Sequence, residues 1–135
     1  MTDKGYANRL KDLFAHQGQH SENELHLLKH GRHFRINADA KIIVGRTKKD
    51  NEQMERYADP AVDVLLKVRN CPGPLVVIPN GADKDTVLLA ASVCAGYGKV
   101  PADMPVQVNV VSSKRRESVT VLPLAPKMVS QYLIS

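Results

Sequence analysis

The spacing of apolar residues changes several times along the chain, and each change marks a predicted element. Near the N-terminus, the i, i+4, i+7, i+8 spacing of one helix face is shared by Tyr6, Leu10, Leu13 and Phe14. This first helix is expected to stop near Gly18. Ser21 and Glu24 have the spacing of a capping box and predict a second short helix, which runs to His30 and ends before Gly31.

Short apolar and alternating runs follow these helices and predict strands in pairs. The strand-like stretches are residues 34–37, 40–44, 61–69, 75–78, 106–111 and 119–124. Helices separate the pairs: one begins at Thr47 and reaches Tyr57, and another begins at Asp83 or Asp85. An N-terminal helical segment followed by strand pairs that helices separate predicts an α+β fold with a mostly antiparallel or mixed sheet.

Glycine and proline predict how some of these elements end. Pro72, Gly73 and Pro74 suit a type II turn between the third and fourth strands, with proline and glycine at its central positions. Gly96 and Gly98 are expected to supply left-handed residues at the end of the last helix.

The second predicted strand runs directly into Gly45 and a helix start that is rich in cations. Thr47 is predicted to cap this helix by accepting from the N–H of Asp50, whose carboxylate can reach back toward the cap. Lys48 and Lys49 then fall in the first turn, where the macrodipole repels each cation by about 0.3 to 1 kcal/mol. A bound phosphate would make this placement favourable, since a helix start offers free N–H groups. An exposed helix start with solvated lysines is the alternative.

Composition narrows the class of protein and of partner. A chain of 135 residues predicts one domain, and its net charge of +5 favours polyanionic partners. Trp is absent and aromatic residues make up 4%, which argues against base stacking and favours recognition of backbone and shape. Cys71 and Cys94 have no Cys-x-x-Cys spacing and are expected to be buried free thiols. Since no membrane span or secretory signal is found, we expect a cytoplasmic protein with no membrane partner.

Other cations are expected to extend the anion-binding surface. Lys67 and Arg69 alternate along one strand and share a face with Leu65. His30 and His33 are expected to join the basic residues around the first strand. The predicted phosphate-binding residues are Gly45, Arg46, Thr47, Lys48, Lys49, Lys67, Arg69, Lys114, Arg115, Arg116, Arg32 and Arg35. For residues 114–116, a solubilising loop is the alternative.

Catalysis and metal binding find little support in the sequence. The pairs His16 with His20 and His26 with His30 have the i, i+4 spacing of a helical metal site, but no matching carboxylate or cysteine completes a set. No nucleophile elbow, Walker loop or pyrophosphate-loop motif is present. We therefore predict no catalytic residue, no metal and no cofactor in this chain.

Three segments together resemble the RNA-binding domain of NFACT proteins: residues 44–52 (VGRTKKDNE), 63–67 (DVLLK) and 72–77 (PGPLVV). In that family a Gly-Arg-Asn-like turn opens a helix, and an Asp-x-x-x-His strand leads to Pro-Gly-Ser-His. Lys67 stands where the family has its first histidine, and it keeps or adds positive charge. The resemblance implies an RNA-binding domain over residues 34–135, preceded by a helical linker segment at 1–33.

The N-terminal segment adds a second resemblance. Residues 2–13 and 27–35 are similar to the segment after the pyrophosphate-loop ATPase domain of bacterial tRNA 2-thiouridylase-like proteins, also labelled methylaminomethyl-thiouridylate methyltransferases. This resemblance implies an accessory domain of a tRNA-modifying transferase, with tRNA or structured RNA and a pyrophosphate-loop ATPase domain or protein as partners. Two alternatives remain: a protein-docking or dimerisation module, and a small protein with a pocket for a phosphorylated ligand near Gly45 and Gly73.

Overall fold

A six-stranded sheet with helices on both faces forms the centre of the fold. The computed structural model describes residues 4–16, 21–101 and 103–135. Its strands are β1 (Arg32–Asn37), β2 (Ala40–Val44), β3 (Val64–Val68), β4 (Val76–Ile78), β5 (Val106–Val111) and β6 (Arg116–Val121). Its helices are α1 (Lys4–His16), α2 (Glu22–Leu27), α3 (Lys48–Tyr57) and α4 (Lys84–Tyr97). None of these helices is long and apolar enough to cross a lipid bilayer.

The strands are ordered β1-β2-β4-β3-β5-β6, and every pair of neighbours is antiparallel. The predicted α+β class is therefore confirmed, as is the pairing of β1 with β2, β3 with β4, and β5 with β6. The sheet order places β4 between β2 and β3, which brings the β2 end and the β3–β4 loop to the same end of the sheet.

Alternation along the strands gives the sheet two different cores. Residues such as Ile42, Leu66 and Val108 point toward α4, whose buried alanines and Cys94 complete the larger core. On the opposite face, Ile43 and Val77 pack with Met54 of α3 and with α2. Helices α2 and α3 cover the β2–β4 side of this second face, and side chains of β5 and β6 remain exposed on it.

Side-chain caps start the helices as the sequence predicts. Ser21 and Glu24 form a complete capping box, with both hydrogen bonds at 3.2 Å. Asp83 accepts from the N–H of Thr86 at 2.8 Å and begins α4. The predicted end of α2 at His30 is wrong, because α2 stops at Leu27 and the chain turns toward β1 through a left-handed Gly31.

The predicted bounds of β3 and β6 also need correction. Residues 61–63 form a turn before β3, because the Asp63 carboxylate accepts from the N–H groups of Asp59 and Asn80, each at 2.8 Å. Arg69 lies just after β3, although its N–H still donates to the carbonyl of Gln107 at 2.9 Å. Strand β6 begins at Arg116, so this residue belongs to the sheet.

Two glycine predictions are wrong for a shared physical reason. Gly73 has no positive φ, so Pro72–Pro74 do not form a type II turn. Neither Gly96 nor Gly98 has a positive φ either, so α4 ends without a left-handed residue. These glycines permit close packing instead. A Cβ on Gly96 would lie 1.7 Å from the carbonyl oxygen of Leu124, and one on Gly73 would lie 3.3 Å from the Cα of Gly98.

Helix α1 and the C-terminal residues pack near β1. Leu13 of α1 is buried, and Asp12 forms an ion pair with Arg35 of β1. The predicted stop at Gly18 lies outside the described residues. At the other end, the N–H of Ile134 donates to the carbonyl of His33 at 2.7 Å, and the C-terminal residues cover the outer edge of β1.

Candidate nucleic-acid interface

A cationic cavity of about 230 Å³ lies where β2 runs into α3, and we call it the Gly45 pocket. Four chain segments form its walls: the start of β1, the turn at residues 45–48, the loop at 72–74 and the end of α4. Its charged lining residues are Arg32, Arg46, Lys48 and Lys99. Among the described residues that line it there is no carboxylate, so the pocket favours an anion.

Gly45 allows the close packing that builds this pocket. Its N–H donates to the carbonyl of Leu75 at 3.0 Å, and the Leu75 N–H donates to the side-chain oxygen of Asn51 at 3.1 Å. A Cβ on Gly45 would lie 1.9 Å from that Asn51 oxygen. A side chain at this position would displace the Asn51 amide, which ties the first turn of α3 to the start of β4.

The helix start differs in one detail from the predicted box. Thr47 accepts from the N–H of Asp50 at 3.1 Å, as predicted. The Asp50 carboxylate reaches past the cap to Arg46, accepting from its N–H at 3.2 Å and its Nε at 3.3 Å. Burial opposes ionisation of Asp50, but the hydrogen bonds and charge of Arg46 outweigh it and lower the carboxyl pKa. Lys48 and Lys49 are exposed in the first turn, and Lys48 lines the pocket.

Arg32 and Lys99 complete the pocket from distant parts of the sequence. The Arg32 guanidinium lies 5.2 Å from the centroid of the Tyr97 ring, a cation–π contact that orients it. Lys99 follows α4, and its N–H donates to the carbonyl of Pro72 at 3.1 Å. Sequence reasoning missed Lys99, because its only local signal is one lysine after a helix end.

A second polar surface lies on the face of the sheet that α4 does not cover, beyond the edge of α3. We call it the open sheet face, and its exposed side chains are Lys67, Arg69, Gln107, Asn109, Arg116, Ser118 and Thr120. Arg69 donates to the side chain of Gln107 at 3.1 Å, and Ser118 donates to Asn109 at 2.8 Å. Lys67 and Arg116 line a groove of about 540 Å³ with Glu55 of α3.

The β5–β6 turn lies at the opposite end of the sheet from the Gly45 pocket. Leu65 pairs with Val111 next to this turn, whereas Val68 pairs with Val108 toward the pocket end. In the turn, Arg115 forms an exposed ion pair with Glu117 at 3.3 Å. Lys114 and Arg115 line a cavity that also contains carboxylates, so this region is not purely cationic.

The basic residues around β1 are mostly engaged in packing. The Arg35 guanidinium donates to the carboxylate of Asp12 at 3.1 Å and 2.5 Å under α1. His33 is fully buried, and burial holds its pKa well below the usual value, so it stays neutral. His30 lies 3.6 Å from Asp50, and burial lowers its pKa as well. The structure therefore brings Arg32 to the pocket and keeps Arg35, His30 and His33 away from it.

Within the described ranges, no three His, Cys, Asp or Glu side chains are close enough to hold a metal ion. His20 of one predicted pair lies outside those ranges, and His26 stacks on Tyr57 with a centroid distance of 4.3 Å. Both cysteines are free, Cys94 is buried, and Cys71 is half-buried in the loop after β3. Burial raises the pKa of Cys94 to about 12, which keeps it a thiol.

Comparison with known proteins gives one family and one fold. Residues 31–133 match the family described as the NFACT protein RNA binding domain. A solved structure, the C-terminal part of the fibronectin/fibrinogen-binding protein from Streptococcus suis, superposes with a TM-score of 0.66 at 15% identity. The alignment covers 96% of this chain and 66% of that one, just under two thirds, and it shows the fold alone. No curated protein matches the sequence.

Proposed function

This chain belongs to the NFACT RNA-binding domain family, and from that premise we propose that it binds tRNA or another structured RNA through the phosphate backbone. The observation that carries this proposal is the Gly45 pocket, where the charged lining residues of the described chain are all cations. Arg32 offers a planar guanidinium, and Lys48 and Lys99 are mobile point charges beside it. Such a set can neutralise a phosphate group from several directions.

The open sheet face is proposed to continue the contact with RNA. Lys67, Arg69 and Arg116 supply charge, while the amides and hydroxyls between them can bond to phosphate or ribose oxygens. Recognition of this kind needs no aromatic platform, which agrees with the 4% aromatic content. We therefore propose that the RNA is held by backbone and shape. Lys114 and Arg115 are proposed to contact it at the far end of the sheet.

We further propose that this chain works together with a tRNA-modifying enzyme. The similarity of residues 2–13 and 27–35 to thiouridylase-like proteins supports a role as an accessory domain that presents tRNA to a modifying enzyme. In that role the chemistry belongs to a partner, such as a pyrophosphate-loop ATPase domain or protein. Neither Asp63, which accepts two backbone N–H groups, nor the buried Cys94 thiol is placed to react.

Protein docking is a second candidate, favoured by one observation. Met104 and Leu122 have 56% and 59% of their surface exposed, and they flank the Val106–Val121 pair at one end of the β5–β6 hairpin. Exposed apolar side chains of this size are compatible with a docking surface. Under this candidate, Met104→Ser with Leu122→Ser would prevent association with a partner enzyme and would leave RNA affinity unchanged.

A charge-reversal comparison tests RNA binding. Lys48→Glu with Lys49→Glu removes two cations and adds two anions at the helix start, where anions also favour the macrodipole. We expect tRNA affinity to fall by about 30-fold or more, as several phosphate contacts weaken, with no loss of stability. The matched control is Lys11→Glu with Lys127→Glu, which makes the same change in net charge at exposed positions outside both surfaces. Equal losses in the two variants would show that only net charge matters and would remove the Gly45 pocket from the proposal.

A further inference from the structure

The Gly45 pocket is small, and four chain segments meet around it. Its volume of about 230 Å³ lies below the 300–1,000 Å³ that is common for sites that enclose a whole ligand. A single phosphate group with part of its sugar is small enough for such a space. The open sheet face, by contrast, runs along three neighbouring strands and can follow a strand of RNA.

The two surfaces also differ in their balance of charge. Within the described residues, the pocket presents four cations, and only Arg46 is paired with a carboxylate, that of Asp50. The groove on the open sheet face combines Lys67 and Arg116 with the carboxylate of Glu55. An internal phosphodiester carries one negative charge, whereas a phosphomonoester carries about 1.5 to 2 near pH 7. The more cationic site therefore matches the more highly charged group.

Resting on the proposed function, we propose that the Gly45 pocket binds the terminal phosphomonoester of an RNA, at its 5′ or 3′ end. Arg32, held against Tyr97, donates in a fixed orientation to two phosphate oxygens. Lys48 and Lys99 neutralise the second charge from the helix start and from the end of α4. The open sheet face then holds the adjoining internal phosphates.

The test uses one RNA hairpin made with a 5′-phosphate, with a 3′-phosphate, or with hydroxyl groups at both ends. At pH 7.5 we expect one phosphate-ended form to bind about tenfold more tightly than the hydroxyl-ended form, and the excess to shrink at pH 5.5, since the second phosphate pKa is about 6. In Lys99→Met with Arg32→Met, the ratio of the two affinities should fall toward one. In Lys67→Met, both affinities should fall together and the ratio should persist.

Treatment of tRNA with a phosphatase removes its terminal phosphate and so tests end recognition a second time. Inorganic phosphate is then used as a competitor for the Gly45 pocket. Loss of tRNA affinity after phosphatase, and competition that the Arg32 and Lys99 variant no longer shows, would support the proposal. Equal binding of all three hairpins by the unaltered chain would overturn end recognition while leaving backbone binding intact. No binding of any RNA would overturn the proposed function itself.

Discussion

The Gly45 pocket and the open sheet face both present cations, but they are built in different ways. The pocket depends on packing between elements: Gly45, Asn51 and Leu75 bring the β2 end, α3 and β4 so close that a Cβ on Gly45 would meet the Asn51 amide. The open sheet face depends on strand alternation, which exposes every second side chain on β3, β5 and β6. Charge in the pocket is therefore positioned by the packing of several elements, whereas charge on the open sheet face can be replaced one residue at a time.

The largest effect is expected for Gly45→Ala, which breaks the pocket and spares the open sheet face. The new Cβ would meet Asn51 Oδ1, displace it from the Leu75 N–H and cost on the order of 2 to 4 kcal/mol. Urea unfolding measures this loss. Asn51→Ala provides the control, because in that background the clash is removed and Gly45→Ala should cost much less. Equal costs in both backgrounds would contradict this account of the glycine.

A buried cation differs from those of the Gly45 pocket and the open sheet face, because it belongs to neither surface. Lys41 is 7% exposed, and burial followed by the charge of Arg35 lowers its pKa to about 8. Below pH 8 the folded chain therefore bears the full cost of the buried charge. As the pH rises from 8 toward the unfolded pKa of about 10.4, the folded state releases its proton first and stability increases.

Lys41→Met should remove this rise and add on the order of 3 kcal/mol of stability at pH 7, the equivalent of the pKa shift. Urea unfolding of both proteins from pH 7 to 10 checks the prediction. RNA affinity should not change, because the side chain lies beneath the surface. A stability difference that does not depend on pH would show that the pKa of Lys41 is not lowered in the folded chain.

Smaller effects are expected on the open sheet face. Lys67→Ala and Arg116→Ala should each weaken RNA binding by about threefold to tenfold and reduce the log-log salt slope by roughly 0.7 to 0.9. Anisotropy titrations at several salt concentrations measure both quantities. The loss in the double variant should exceed either single loss, and its departure from their sum measures the coupling of two cations that line one groove. A salt slope that both variants leave unchanged would exclude this face from the contact.

The smallest effect is expected at the β5–β6 turn. Arg115 is exposed and already paired with Glu117, so Arg115→Ala should change stability by less than about 0.5 kcal/mol. Its effect on RNA binding should be at most about twofold, because Glu117 offsets its charge. A loss of RNA affinity as large as that of Lys67→Ala would show that the turn contributes as much to RNA binding as the open sheet face does.

Much of the fold follows from local patterns in the sequence. The capping box at Ser21, the Thr47 cap and the alternating runs predict the right kinds of element, because each depends on residues a few positions apart. The predictions fail where the local structure depends on contacts with residues far away in the sequence. The local pattern predicts that Gly96 ends a helix, but its missing side chain makes room for the Leu124 carbonyl, 28 residues further along. No local pattern records such an approach.

The candidate site likewise contains residues that a local motif predicts and residues that only the assembled fold brings together. Arg46, Thr47 and Lys48 are contiguous, so one motif predicts them together. Lys99 joins them only because the sheet order places the end of α4 beside the β2–α3 turn. Arg35 is a residue type that commonly binds anions, yet its guanidinium donates to the carboxylate of Asp12, which lies 23 positions earlier in the sequence. Such partners become visible only once the strands and helices are assembled.

The most direct test is a titration of the whole chain with tRNA at several salt concentrations, run beside an acidic polymer of similar charge. Contact with several phosphates predicts tighter binding to tRNA and a log-log salt slope of about −3 or steeper, which should become shallower when Lys48 and Lys49 are reversed. Equal affinity for the acidic polymer, or a slope that those reversals do not change, would contradict recognition of RNA through the Gly45 pocket and the open sheet face.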